Sequence, residues 1–176
     1  MLTNAAGIGK EAGTPTVSII VPTRNRVSKL ARCLEYVSAI RSGTPWELIV
    51  VDNGSTDETP RFLESFGRQP PMPFSAVREP EAGGMRTRNA GAEAARGEVL
   101  IFIDNDCYPA SDIVGQYVAI FQDPAIGFAG GRILPYERGT DESAERTLAL
   151  MESEAAIRYP AGQPVPSGIL QGGNMA

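Results

Sequence analysis

Three short apolar, largely β-branched runs set the tightest limit on how this chain can fold. They are Val17-Ser18-Ile19-Ile20-Val21, Glu47-Leu48-Ile49-Val50-Val51 and Glu98-Val99-Leu100-Ile101-Phe102-Ile103. None alternates apolar with polar in the manner of a half-solvated strand, so each predicts a strand buried on both faces. Helical patterns lie between them. Ser28 can cap a helix with Leu30, Cys33, Leu34 and Val37 on one face, broken at Gly43 to Pro45. Ser55-Thr56-Asp57-Glu58 has the form of a capping box opening a helix through about Phe66, closed by Gly67. Phe74 to Val77 predicts a third strand, and Gly83-Gly84 precede a helix from about Met85 to Ala95. Ser111 and Asp112 can cap a further helix with Ile113, Tyr117, Ile120 and Phe121 inward. A glycine-interrupted strand over 126–133, a helix over 141–158 and a strand-like stretch over 167–176 complete the reading.

Strand-helix alternation of this kind predicts an α/β fold, a three-layer α/β/α sandwich with a mostly parallel central sheet. In such sheets ligands bind in the crevice beyond the carboxyl ends of the strands. That rule selects three polar stretches: Pro22-Thr23-Arg24-Asn25, Asp52-Asn53-Gly54-Ser55 and Asp104-Asn105-Asp106.

Composition removes several classes of function. At 176 residues the chain suits one domain, with residues 1–15 a Gly/Ala-rich flexible leader. A net charge of -5 argues against nucleic acid as a partner. Apart from Lys10 and Lys29 every basic residue is arginine, the side chain suited to fork-like anion recognition. The sequence contains no histidine, which eliminates His-based triads, zinc sites and general bases. Cys33 and Cys107 form no disulfide framework and fit a reducing compartment. No apolar run approaches the ~20 residues needed to cross a bilayer. A cytoplasmic chain is expected, with contact to the inner face of the membrane left open.

The polar strand ends can be read as chemistry or as ordinary turns. Asp104 and Asp106 lie two apart after a buried strand, where alternate side chains share a side. Two carboxylates so close repel unless a cation lies beside them. Hard oxygen ligands suit Mg2+ or Mn2+, ions that often share their coordination with substrate phosphates; the alternative is a polar turn. Asp52 could accept from a base or a ribose hydroxyl, or belong to a turn in which Ser55 caps the next helix. The glycine pair before Arg86 and Arg88 resembles a phosphate-binding helix start. Positions two apart on a helix face different sides, which makes Arg88 the preferred ligand and leaves Arg86 to solvent. Cys107 reads as packing rather than nucleophile, and Trp46 as core rather than a sugar platform.

Taken in order, Val17 to Asn25, Leu48 to Asp57, Arg88-Asn89-x-Gly91, Ala95-x-Gly97-Glu98, Phe102 to Asp106 and Gly172 to Ala176 resemble the family 2 glycosyltransferases of the GT-A fold, with its Rossmann-like nucleotide-binding core. The resemblance implies a nucleotide-sugar-binding domain over 16–176. It implies transfer of a sugar from a UDP-, GDP- or TDP-linked donor to a glycan, lipid or small-molecule acceptor, with inversion. Pro22, Thr23, Arg24 and Asn25 would form the floor under the base, and Asp52 would contact it. Asp104 would lie near the ribose and metal, Asp106 would ligate Mg2+ or Mn2+ directly, and Arg88 would approach the base or diphosphate. Gly172, Gly173 and Asn174 would lie near the transferred sugar or acceptor. The family's general base falls downstream of that last segment, beyond Ala176, so the domain is expected to be incomplete at its C-terminal end. Nothing in the sequence places Glu152 or Glu154 in that role. A non-catalytic nucleotide-sugar-binding module is the first alternative. A nucleotidyltransferase or a dinucleotide oxidoreductase fits less well, because the loop after the first strand has no glycine.

Overall fold

A computed structural model describes residues 14–131. The expected helix over 141–158, the stretch over 167–176 and nearly all of the leader lie outside them. The elements run β1 (Val17–Thr23), α1 (Val27–Ser38), β2 (Trp46–Asp52), α2 (Thr59–Phe66), β3 (Phe74–Arg78), α3 (Gly84–Ala94), β4 (Val99–Phe102) and α4 (Ile113–Ile120).

Among the described residues the three strand pairings are parallel, and the strand order is β3-β2-β1-β4. The register places Val17 opposite Trp46 and Thr23 opposite Asp52, with Val17 to Ile20 opposite Val99 to Phe102. The continuous apolar runs explain the pairing. Residues of β1 alternate between two buried apolar clusters. Val17, Ile19 and Val21 pack with Leu48, Val50 and Ile101 against Leu30, Leu34 and Val37 of α1, Leu63 of α2, and Val114 and Tyr117 of α4. On the other face Ile20, Ile49 and Val51 meet Ala90 of α3, with Val77, Leu100 and Phe102 around them. The sheet is covered on both sides, as its apolar composition requires, and the expected three-layer α/β/α arrangement is present.

The second core is thin because α3 lies very close to the sheet. A β-carbon on Gly91 would overlap the Ile20 Cγ2 methyl and come within 3.1 Å of Val51 Cγ2. Beyond α3, the chain crosses the start of β1 at Gly97, where a β-carbon would lie 2.6 Å from the Ser18 nitrogen. Behind this crossing is a buried polar cluster. Glu47 Oε1 accepts from the Ser18 hydroxyl at 2.8 Å and the Arg96 backbone N–H at 2.9 Å. Its Oε2 accepts from Arg96 Nε and Nη2. Ser18 Oγ in turn accepts from the Gly97 N–H. Burial alone would raise the Glu47 carboxyl, but the bonds from Arg96 and Ser18 outweigh it and hold the group below the ordinary 4.5.

Several local expectations are corrected. Ser55 does not cap α2, nor does Ser28 cap α1; neither helix has a cap from its N-cap side chain. Asp57 serves both helix starts: Oδ1 accepts from Thr59 N–H and Oδ2 from Val27 N–H. Ser55 Oγ instead accepts from the Asn25 N–H. Asp112 precedes α4 without capping it and accepts from Gln116 Nε2. Val114 is buried where Ile120 was expected; Ile120 is 38% exposed, because α4 ends there. Of the strand expected over 126–133, the described residues show a single bridge at Gly130, with 132–133 outside them. Asp123 closes a turn with Ala125 and Ile126, and the glycines that follow offer no side chain to pack.

Two outcomes follow from this packing. In Gly91→Ala the helix gains about 1 kcal/mol of propensity, while overpacking a rigid contact costs about 1–3 kcal/mol. The variant is expected to lose about 1 kcal/mol by urea denaturation; a more stable variant would refute the close approach. For Glu47, a depressed folded pKa contributes stability above the unfolded value that disappears as pH falls through the folded one. The melting-temperature gap between wild type and Glu47→Gln should therefore be widest near neutral pH and shrink below pH 4.5. A gap that widens on acidification would contradict the assignment.

Candidate donor site at the sheet switch point

The chain adds β2 and β3 to one edge of β1 and then returns to lay β4 on the other edge. The gap beyond the carboxyl ends of β1 and β4 is therefore a topological switch point, where loops leave in opposite directions and open a crevice. A cleft of about 440 Å³ lies there. Its walls are Pro22, Thr23 and Arg24 from the end of β1, Arg26 before α1, and Asn53 after β2. They continue with Gly84, Thr87 and Arg88 from the start of α3, and Asp104, Asn105 and Asp106 after β4.

Local structure gathers these groups. Ladder bonding continues one residue past β4, with Ile103 N–H donating to Ile20 C=O, and then the chain turns as Cys107 N–H donates to Asp104 C=O. Asp104 and Asp106 therefore meet in a turn, and the alternation of an extended strand does not apply to them. Asn105, between them, is buried and donates from Nδ2 to Thr23 Oγ1 at 2.8 Å, tying the turn to the end of β1.

Each carboxylate faces a cation. Arg88 Nη2 donates to Asp104 Oδ1 at 2.8 Å, with the two side chains 21% and 38% exposed. Arg26 Nη1 lies 2.8 Å and Lys29 Nζ 3.3 Å from Asp106 Oδ2. Arg88 Nε is buried and has no hydrogen-bond partner. A buried donor without an acceptor is costly, and this one is left unsatisfied. Arg86 turns away to Glu81 at 2.8 Å. Lys29 falls in the first turn of α1, where the helix dipole disfavours a cation; Asp106 compensates it. That mismatch was a readable signal for Arg26 and Lys29, which the sequence reading passed over.

The remaining candidates are placed as follows. Asn25 lies beside the cleft at φ 50, a left-handed conformation Asn tolerates. Its Oδ1 accepts from the Thr56 N–H at 2.7 Å, and so its side chain joins two loops rather than lining the floor. Asp52 does not line the cleft; it is 5% exposed and accepts from Ser55 N–H, although it sits opposite Thr23 at the cleft's edge. Gly172, Gly173 and Asn174 lie outside the described residues. Burial, aided by the neighbouring Asp104 and Asp106, pushes the Cys107 thiol up to about 11 and the Cys33 thiol up to about 12. Neither is a thiolate at neutral pH, which agrees with packing. Trp46 packs against the core.

The chain is similar to known proteins in sequence and fold. A family model described as Glycosyl transferase family 2 matches residues 18–171. The chain is 29% identical to glycosyltransferase AglE of Haloferax volcanii over 68% of its own length and 40% of that protein. It is 32% identical to the uncharacterized glycosyltransferase YfnE of Bacillus subtilis, over 76% of its length and 35% of the relative. Among solved structures, the mannosyltransferase PcManGT of Pyrobaculum calidifontis, in complex with GDP-Man and Mn2+, superposes with a TM-score of 0.62 at 29% identity. That match covers 70% of this chain and 37% of the other. The chain thus spans well under half the length of these relatives. By the family model, which takes in all but the ends of its sequence, the chain belongs to glycosyl transferase family 2.

Proposed function

We propose that this chain is the donor-binding part of a glycosyltransferase that moves a sugar from a nucleotide diphosphate to an acceptor, with a divalent cation at Asp104 and Asp106. One observation carries the reading: at the switch-point cleft, two carboxylates and an arginine line the same space. A diphosphate with its metal needs these opposite charges side by side.

The donor set suits Mg2+ or Mn2+. Both ions are held through one or two carboxylates, with phosphates and water completing the shell. Among the described residues no group of three or more His, Cys, Asp or Glu forms a closed cage. Two carboxylates at an open cleft fit the partial shell of a substrate-sharing ion. Bound there, the cation would offset the charge that gathers on the diphosphate as the sugar leaves. The chain's own residues do the rest. The start of α3 at Gly84 presents a helix N-terminus to the cleft. Arg88, on the cleft wall, offers its guanidinium to a phosphate oxygen, and Arg26 and Lys29 bring positive charge beside Asp106. Pro22, Thr23 and Arg24 support the base, with Asp52 beside them at the edge and Asn25 bracing the loop.

GDP-Man in the Pyrobaculum enzyme supports a nucleotide-sugar donor here. The acceptor, an inverting course and a general base downstream of Gly172 to Asn174 stand as expectations from the family. No helix among the described residues is long and apolar enough to cross a membrane.

Asp106→Ala should fold normally yet weaken Mn2+-dependent binding of UDP or GDP at least about tenfold, or about 1.4 kcal/mol, by calorimetry. Wild-type affinity in that variant would remove the metal role of Asp106. A transfer assay on the unmutated chain separates the enzyme from the binding module: nucleotide binding with no turnover onto any acceptor favours the module.

A further inference from the structure

Asn53 follows directly after β2, is 6% exposed, and lines the cleft with no polar side-chain atom left over. Its Nδ2 donates to the Glu79 carbonyl at 3.1 Å and to the Glu81 carbonyl at 2.6 Å. Its Oδ1 accepts from the Gly83 N–H at 3.1 Å. The partners leave one orientation of the amide, since two are pure acceptors and the third is a donor. Its own backbone N–H donates to the Thr23 carbonyl at 2.9 Å, anchoring Asn53 to β1. One side chain therefore bonds three of the five residues between β3 and α3, while the Glu79 N–H donates to the Asp52 carbonyl and the Glu81 N–H to Glu79 Oε1.

That connection delivers Gly84, Thr87 and Arg88 to the cleft. Thr87 N–H and Oγ1 both donate to the Gly83 carbonyl, so the first turn of α3 is built on the residue whose N–H Asn53 holds. Arg88 is the next residue, at the start of the second turn, with Nη2 on Asp104 and Nε unpartnered.

We propose that Asn53 is a positioning residue: its amide sets the β3–α3 loop and thereby aims Arg88 into the donor cleft. This rests on the reading that Arg88 meets the donor diphosphate. Only a side chain carrying both donor and acceptor atoms at this length serves all three backbone groups. Aspartate has nearly the same shape but donates nothing when ionised, so it keeps the Gly83 bond and sets a negative charge against two carbonyl oxygens. Serine is too short to span the gap and removes the clamp without adding charge.

The test is a double-mutant cycle on the chain with Asn53→Asp, Asn53→Ser, Arg88→Ala and the two combinations, titrated with UDP and GDP in Mn2+. Amide exchange over residues 79–88 is followed in parallel. The clamp predicts faster exchange at Gly83 and through the first turn of α3 in both Asn53 variants. Nucleotide affinity should fall about tenfold with Arg88 present and less than about twofold once Arg88 is alanine, because neighbours that act through one another are not additive. Unchanged exchange in both variants would overturn the clamp. Faster exchange with wild-type affinity, or an equal loss of affinity in both backgrounds, would overturn the positioning role. Wild-type affinity in Arg88→Ala alone would instead overturn the donor role of Arg88, a separate outcome that leaves exchange to decide the clamp. Serine keeps the comparison available if the aspartate variant does not fold.

Discussion

Parallel pairing of β1 on both edges is the constraint from which the rest of the molecule follows. A parallel strand hydrogen-bonded to neighbours on both sides, and apolar on both faces, cannot stand in water. Its two sets of side chains require α1, α2 and α4 on one side and α3 on the other. Parallel pairing also sends every carboxyl end the same way, so the loops after β1, β2 and β4 open at one end of the sheet. With β2 and β4 on opposite edges of β1, those loops part there. The cleft is a consequence of strand order, and its polar residues are the ones the strands release as they end.

Charge then decides what the cleft can hold. Asp104 and Asp106 are paired with Arg88 and with Arg26 and Lys29, so the site keeps both signs within hydrogen-bonding distance. A site meant for a cation alone would not gather three basic side chains, and one meant for an anion alone would not place two carboxylates between them. On the proposed reading, a metal with a diphosphate would satisfy both sets at once. The cost is visible in the local rules broken: a cation in the first turn of α1, and a buried Arg88 Nε without a partner. Violations of this kind concentrate at functional sites.

Long, uninterrupted apolar runs made the sheet and its two covered faces readable, because burial on both faces leaves little room for any other pattern. Asp104, Asp106 and Arg88 were readable as cleft-lining residues from their place after β4 and at the start of α3; the direction argued for the two aspartates was not, because they lie in a turn rather than on an extended strand. Helix caps were not readable either. Ser55 and Ser28 stand at proper local spacing, but Asp57 reaches both helix starts, and its bond to Val27 spans 30 residues of sequence. Local spacing carries no information about such a partner. Asn25, assigned to the floor of the cleft, was similarly claimed by the Thr56 amide from a neighbouring loop. Asn53 was overlooked beside Asp52 because its three partners are backbone groups, which have no signature in sequence.

The most direct measurement is a crystal structure of this chain with GDP or UDP and Mn2+, with the metal located by its anomalous signal. The account predicts one Mn2+ peak bound by Asp104 and Asp106, with the diphosphate against Arg88 and the base above Pro22 to Arg24. A peak elsewhere, or a nucleotide seated away from the gap between β1 and β4, would contradict it.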